Sequence, residues 1–233
     1  MSDAAFDILR KVTSATITTM LLKKGIRRCW LSSPKPLVPR GERVVGRAFT
    51  LRFVPAREDV ATPESWGNPI STRAAVEEMP EGAIAVADAM GVTSAGIFGD
   101  ILCARMKKRN VSALITDGVV RDRAGVLMSG LPVWCAGVAA PASVNGLTFV
   151  GWQQPIGCGG CAIFPGDIIV ADDDGAVVIP QALLEFVAHD GAEHELYESW
   201  VFSEVENGVK LPGLYPPNED AKARYAAWRK SQS

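Results

Sequence analysis

The sequence has no surplus of positive charge: 24 lysines and arginines stand against 26 aspartates and glutamates, for a net charge of −2. Without a broad basic field nothing gathers nucleic-acid phosphates, so no nucleic-acid partner is expected. No uninterrupted apolar run approaches the roughly 20 residues that cross a bilayer. The opening MSDAAFDILRKV also lacks the charged-then-apolar order of a secretion signal. No membrane partner is expected, and the reading is a cytoplasmic protein. Cysteines are few and odd in number, at five, and Cys29, Cys103 and Cys135 lie in apolar stretches. That usage fits reduced, buried thiols and not a secreted disulfide framework. The two histidines, His189 and His194, are five positions apart, off the HExxH spacing of a zinc protease, and read as surface residues of a helix. The glycine-rich stretch 91–99 has no Walker lysine and no GxGxxG pattern, so nucleotide binding is not inferred.

What is present is a 233-residue chain with 48% hydrophobic content, enough for one large core. Apolar side chains at helical spacing predict an opening helix over 3–24, with Ser2 or Asp3 as cap and Gly25 as stop. RVVGRAFTLRFV (43–54) alternates and reads as a strand. A short helix, TRAAVEEM, leads to the apolar run 83–88, a glycine-rich loop, a helix from Ile101 to about Arg109, and a strand over 111–117. This order is an α/β pattern. Short runs around 131–136, 147–150, 168–171 and 176–179, parted by GCGG, PGD and DDDG turns, predict a second sheet. Helical spacing returns over 181–202, and a Pro-rich break precedes a final helix around 219–230. The expectation is a single α/β domain over 1–233 with helical termini and a C-terminal extension from about 203.

Chemistry concentrates at two places. Gly99-Asp100 precedes a helix, with Asp100 at the expected N-cap and the amides of Ile101, Leu102 and Cys103 left to meet a carboxylate or phosphate at the positive helix end. Twenty residues intervene before Arg121-Asp122, which lie just past the end of the next strand, where α/β folds bind ligands. The helix and strand run in opposite directions, so all three charged side chains can share one pocket. An ion pair that fixes a loop explains the same residues from spacing alone. The chemical alternative has Asp122 holding a magnesium or manganese ion directly, Asp100 holding it through water, and Arg121 gripping a substrate carboxylate or keto oxygen.

Other candidates are weaker. A Schiff-base aldolase needs a desolvated lysine, and Lys107 and Lys108 sit on a polar helix end. Cys158-Gly-Gly-Cys161 has CxxC spacing but no second pair to complete a zinc site. Asp172-Asp173-Asp174-Gly175 lacks the alternating ligands of a calcium loop and reads as a turn.

The spacing of Gly99-Asp100 and Arg121-Asp122 resembles the signature of the family that contains 4-hydroxy-4-methyl-2-oxoglutarate aldolases and the regulator of ribonuclease activity A. GIFGDILCARMKKRNVSALITDGVVRD is similar to that family's central segment throughout, and FPGDIIVADDDGAVVIP (164–180) to a later one; the likeness covers roughly 40–200. It implies a β/β/α fold like the swivelling phosphohistidine domains, assembled as homotrimers or homohexamers with sites between subunits. It implies magnesium or manganese on Asp122, a pyruvate moiety against Arg121, and its carboxylate on the amides after Gly99-Asp100. It further implies an acidic residue from a neighbouring chain, for which Glu195 is the choice, with Glu193 and Glu198 as rivals. The implied activity is retro-aldol cleavage of a 4-hydroxy-2-oxo acid to pyruvate, with decarboxylation of oxaloacetate through the same enolate. The other branch of the family implies a non-catalytic protein that inhibits a ribonuclease. Trp66, Asn68 and Arg73 are candidates to read the far end of the substrate.

Overall fold

The computed structural model describes residues 2–231. Its centre is a twelve-residue strand, β3 (Val44–Pro55), long enough to serve two sets of neighbours. Over Ala48–Arg52 it pairs in parallel with β4 (Ile84–Asp88), which is followed by β5 (Ala113–Thr116) and β6 (Val133–Cys135), also parallel. Two short strands, β1 (Trp30–Leu31) and β2 (Lys35–Pro36), close the two ends of the strand order. The opposite edge of β3 takes β8 (Ile168–Asp172) along its first half and β7 (Leu147–Trp152) along its second, both antiparallel. The β-rich segment expected to form a separate sheet is therefore fused to the parallel strands through β3, with β9 (Gly175–Ile179) continuing it by hairpin to β8. The Asp172–Gly175 stretch is the tight turn of that hairpin, as expected.

The parallel strands are buried on both faces, which explains their unbroken apolar character. Ile84 and Val86 of β4 join a core beneath β8 and β9, whereas Ala85 and Ala87 face a second core. That second core is roofed by α3 (Thr72–Glu78), α4 (Asp100–Lys108) and α5 (Arg123–Ser129). The result is the expected α/β architecture of β/β/α type, a curled mixed sheet with helices on it.

The opening helix is two helices, α1 (Ser2–Leu9) and α2 (Ser14–Lys23). Thr13 breaks the run because its backbone is extended and its hydroxyl caps α2 by accepting from the Thr16 amide. The side chains of Ser2 and Asp3, the expected caps, lie outside the described residues. Both helices pack on α6 (Leu184–Glu206). The C-terminal helix α7 (Glu219–Ser231) closes a small aromatic cluster with Trp200, Leu214 and Tyr225. Among the described residues no helix is long and apolar enough to cross a membrane.

Candidate active site

The loops that follow β4 and β5 continue side by side past the strand ends. The Ile97 amide donates to the Val119 carbonyl (2.9 Å), and the Arg121 amide donates to the Phe98 carbonyl (2.9 Å). Asp117 anchors the base of this arrangement: it accepts from the Ala89 amide (2.8 Å) and the Gly159 amide (3.2 Å). Burial pushes its carboxyl above the usual aspartate value. Gly99-Asp100 and Arg121-Asp122 therefore meet at the carboxyl ends of adjacent parallel strands, where the sequence reading expected a ligand.

Three glycines let them meet. A Cβ on Gly99 would sit 2.7 Å from Asp122 Oδ2, and one on Gly96 would sit 2.7 Å from Arg121 Cβ. On α5, a Cβ on Gly125 would sit 2.5 Å from Asp100 Cβ. All three distances are below any real Cβ contact, so glycine at 96, 99 and 125 is a steric condition of the site. Sequence reasoning missed Gly96 and Gly125; the only signal was glycine recurring in and beside apolar stretches. Asp122 itself has φ 53° and ψ 46°, a left-handed conformation in which it caps α5. Such a backbone costs about 1–2 kcal/mol outside glycine, and aspartate is among the few residues that adopt it. Strain of this kind collects where geometry serves function.

The N-cap of α4 is Gly99, not Asp100, which occupies the first helical position. The expected free amides change accordingly. The Ile101 amide donates to Asp100 Oδ1 (2.7 Å), and the Cys103 amide closes the first helical turn onto the Gly99 carbonyl (3.1 Å). The main-chain N–H groups of Asp100 and Leu102 have no partner among the described residues, so they are the donors left for an anion at the positive helix end.

Gly99, Asp100, Ile101, Leu102, Arg121 and Asp122 line a cavity of about 210 Å³ together with Trp66, Thr72, Arg73 and Ser143. Arg121 Nε donates to Asp122 Oδ2 (2.9 Å), so the ion pair of the structural reading exists and faces this cavity. Arg73 lays its guanidinium over the Trp66 ring (4.9 Å to the centroid) and has no carboxylate partner among the described residues. Asn68 lines an adjoining cavity instead. No lysine is among the residues that line this cavity.

The chain does not bring Glu195 to this cavity. Its carboxylate accepts from the Thr13 amide and hydroxyl, both at 2.7 Å, and ties α6 to the break between α1 and α2. Burial pushes its carboxyl upward, but those hydrogen bonds, one from Thr16 and the charge of Arg43 outweigh it and hold the group below the usual glutamate value. Glu193 pairs with Arg229 (2.9 Å), and Glu198 accepts from the Tyr215 hydroxyl (2.7 Å). His189 is exposed, whereas His194 is largely covered and faces Glu198 at 3.3 Å.

A magnesium or manganese ion fits the donor set. Among the described residues no three His, Cys, Asp or Glu side chains cluster to hold a metal, which is too few for zinc. Magnesium needs only one or two carboxylates, with waters and substrate oxygens completing six positions. Asp122, 43% exposed and open to the cavity, with Asp100 beside it, supplies that number. The five cysteines are free and buried, so none competes. Burial pushes Cys161 up to about 11 and Cys158 well above the usual thiol value, leaving the CxxC pair without a thiolate.

The chain as a whole is similar to several known proteins. The chain is 28% identical over 213 residues to Protein DlpA of Legionella pneumophila, covering 90% of this chain but only 33% of that protein's length. It is 34% identical over 157 residues to a Halalkalibacterium halodurans protein named provisionally as a 4-hydroxy-4-methyl-2-oxoglutarate aldolase, covering 67% of this chain and 68% of that one. The crystal structure of Streptomyces coelicolor RraAS2, described as an unusual member of the RNase ES inhibitor RraA protein family, superposes with a TM-score of 0.76 at 36% identity. That match covers 84% of this chain and 94% of RraAS2. The family model described as RraA-like, Aldolase/RraA, matches residues 6–178, and the chain belongs to that family.

Proposed function

We propose that the protein is a divalent-metal-dependent aldolase that cleaves 4-hydroxy-2-oxo acids to release pyruvate and also decarboxylates oxaloacetate. The observation that carries this reading is that Asp100, Leu102, Arg121 and Asp122 line one small cavity, with the Asp100 and Leu102 amides at the start of α4 unpartnered among the described residues. The name of the Halalkalibacterium relative supports it.

In this reading the substrate carboxylate lies on the amides at the start of α4, where the helix dipole favours an anion. Arg121 turns from Asp122 toward the C2 oxygen and stabilises the negative charge that develops there as C3–C4 breaks. The C4 hydroxyl loses its proton, the C3–C4 electron pair passes into the enolate of pyruvate, and C4 becomes a carbonyl. Asp100, half-buried against Gly125, takes the hydroxyl proton through an intervening water. Protonation at C3 then gives pyruvate. Asp122, with Asp100, would hold magnesium or manganese, which supplies Lewis-acid stabilisation of the same developing charge. Oxaloacetate loses carbon dioxide to the same enolate, so one site serves both reactions. Arg73 adds a second cation for oxygens carried on C4.

The assembly in this reading is a homotrimer or homohexamer. Ile101 (79% exposed) and Met128 (88% exposed), beside the site on α4 and α5, give apolar surface for a neighbouring copy. For Glu195 to serve a neighbouring copy, it would have to leave Thr13.

Purified protein should release pyruvate from 4-hydroxy-4-methyl-2-oxoglutarate with magnesium, and Arg121→Ala should lower kcat more than it raises KM. The likeness to RraAS2 favours a second reading, a non-catalytic inhibitor of a ribonuclease. Inhibition of a ribonuclease by protein that turns over no 2-oxo acid would select that reading.

A further inference from the structure

The catalytic cavity does not end at Trp66. Trp66, Thr72 and Ser143 also line a second, larger cavity of about 470 Å³, so the two adjoin along one shared wall. Their chemistry differs sharply. The smaller carries Arg73, Asp100, Arg121 and Asp122, whereas no charged side chain lines the larger. Its wall is built from Val60, Ala61, Ile70, Val144, Leu147 and Phe149. Three of its hydroxyls are committed: Ser65 donates to the Thr62 carbonyl (2.6 Å), Ser71 accepts from the Ala74 amide (3.3 Å), and Thr148 accepts from the Arg57 amide (3.0 Å). Its remaining polar groups are Asn68 and, on the wall shared with the smaller cavity, Thr72 and Ser143. What it offers a ligand is therefore mainly apolar surface.

Size sharpens the contrast. Ligand-binding cavities commonly span about 300–1,000 Å³. The 210 Å³ cavity falls below that range and suits a compact acid of pyruvate-like dimensions; the larger one lies within it. Two cavities, one charged and small, one uncharged and roomy, meeting at Trp66, match a substrate with a 2-oxo acid head and an apolar tail.

Building on the aldolase reading, we infer that the physiological substrate is a 4-hydroxy-2-oxo acid whose C4 carries an alkyl or aryl tail larger than methyl, seated in the Val60–Ile70–Phe149 cavity. The tail contributes by leaving water: burying one methylene is worth about 0.8 kcal/mol, or about fourfold in kcat/KM. Trp66, held by the Arg73 guanidinium, sets where the head ends and the tail begins.

The test is a series of 4-hydroxy-2-oxo acids bearing methyl, n-butyl and phenyl at C4, assayed with magnesium by pyruvate release, with oxaloacetate as a tail-free reference. The butyl and phenyl members should exceed the methyl member at least tenfold in kcat/KM. In Ile70→Asp, at a position 58% exposed where the change is tolerated by the fold, that ratio should fall below threefold. Val60→Asp, at a second exposed position, should do the same. Turnover of oxaloacetate and of the methyl member with no gain along the series would overturn this inference and leave the aldolase reading standing. So would a tail preference that both variants retain. Turnover of no member, oxaloacetate included, would overturn the aldolase reading and the inference with it.

Discussion

Replacing Gly99 by alanine separates the position of one carboxylate from the stability of the fold. The φ of Gly99 is −116°, a conformation alanine adopts freely, so the substitution brings no backbone strain. What it brings is a methyl 2.7 Å from Asp122 Oδ2 and 3.3 Å from Arg121 Cγ. The first contact is several tenths of an ångström too short, and the group that yields is the carboxylate, the free end of a short side chain. Stability should suffer little. Losing glycine at an N-cap costs about 1 kcal/mol, which lowers Tm by about 2–4 °C in a chain of this length. Activity should suffer more, because displacing a catalytic group by about 1 Å can cost about a hundredfold, so a shift of several tenths of an ångström should cost about tenfold. The assay pairs thermal unfolding with kcat/KM for pyruvate release at saturating magnesium. A folded variant within threefold of the parent enzyme would refute the claim that Gly99 sets the Asp122 carboxylate.

Gly96→Ala should behave in the opposite way: its methyl would meet the Arg121 amide nitrogen at 2.8 Å, and backbone cannot swing aside. Unfolding should shift by about 1–3 kcal/mol, read as a lower denaturation midpoint. Glu195→Gln should reveal a pH-dependent staple. The carboxyl sits below its ordinary value of 4.5, so its stabilisation is present above that pH and lost as pH falls through the lower folded value. The variant should therefore be less stable at pH 7, by about 1 kcal/mol after allowing for part exposure, and converge on the parent as pH falls below the lowered folded value. A thiol reagent at pH 8 should label none of the five buried cysteines quickly in the native protein and all five after denaturation; rapid native labelling of Cys158 or Cys161 would contradict their burial.

Much of the fold was legible because periodicity reports burial. The β4–α4–β5 order and the β8–β9 hairpin follow from apolar runs and turn residues within a few positions of where they lie. Two features were not legible, for physical reasons. The break at Thr13 depends on a cap and on Glu195, 182 residues away, and helical spacing continues through both. The single sheet depends on β3 serving different partners along its two halves, a choice made by tertiary packing. At the site, residue types and spacing point Asp100, Arg121 and Asp122 to one cavity, which they do line, and Trp66 and Arg73 line it with them. Which amides remain free was misjudged by a shift of one residue at the helix start, since Gly99 and not Asp100 is the cap. The glycines that admit the charged pair were invisible as such, because a missing Cβ leaves no pattern.

The central claim is that Asp122 holds a divalent cation used in cleaving a 2-oxo acid. The most direct measurement is pyruvate release from 4-hydroxy-4-methyl-2-oxoglutarate by three samples: protein with magnesium, the same protein after chelation, and folded Asp122→Ala with magnesium. The account predicts turnover in the first alone, restored to the second by adding magnesium back. Equal turnover in all three would contradict it.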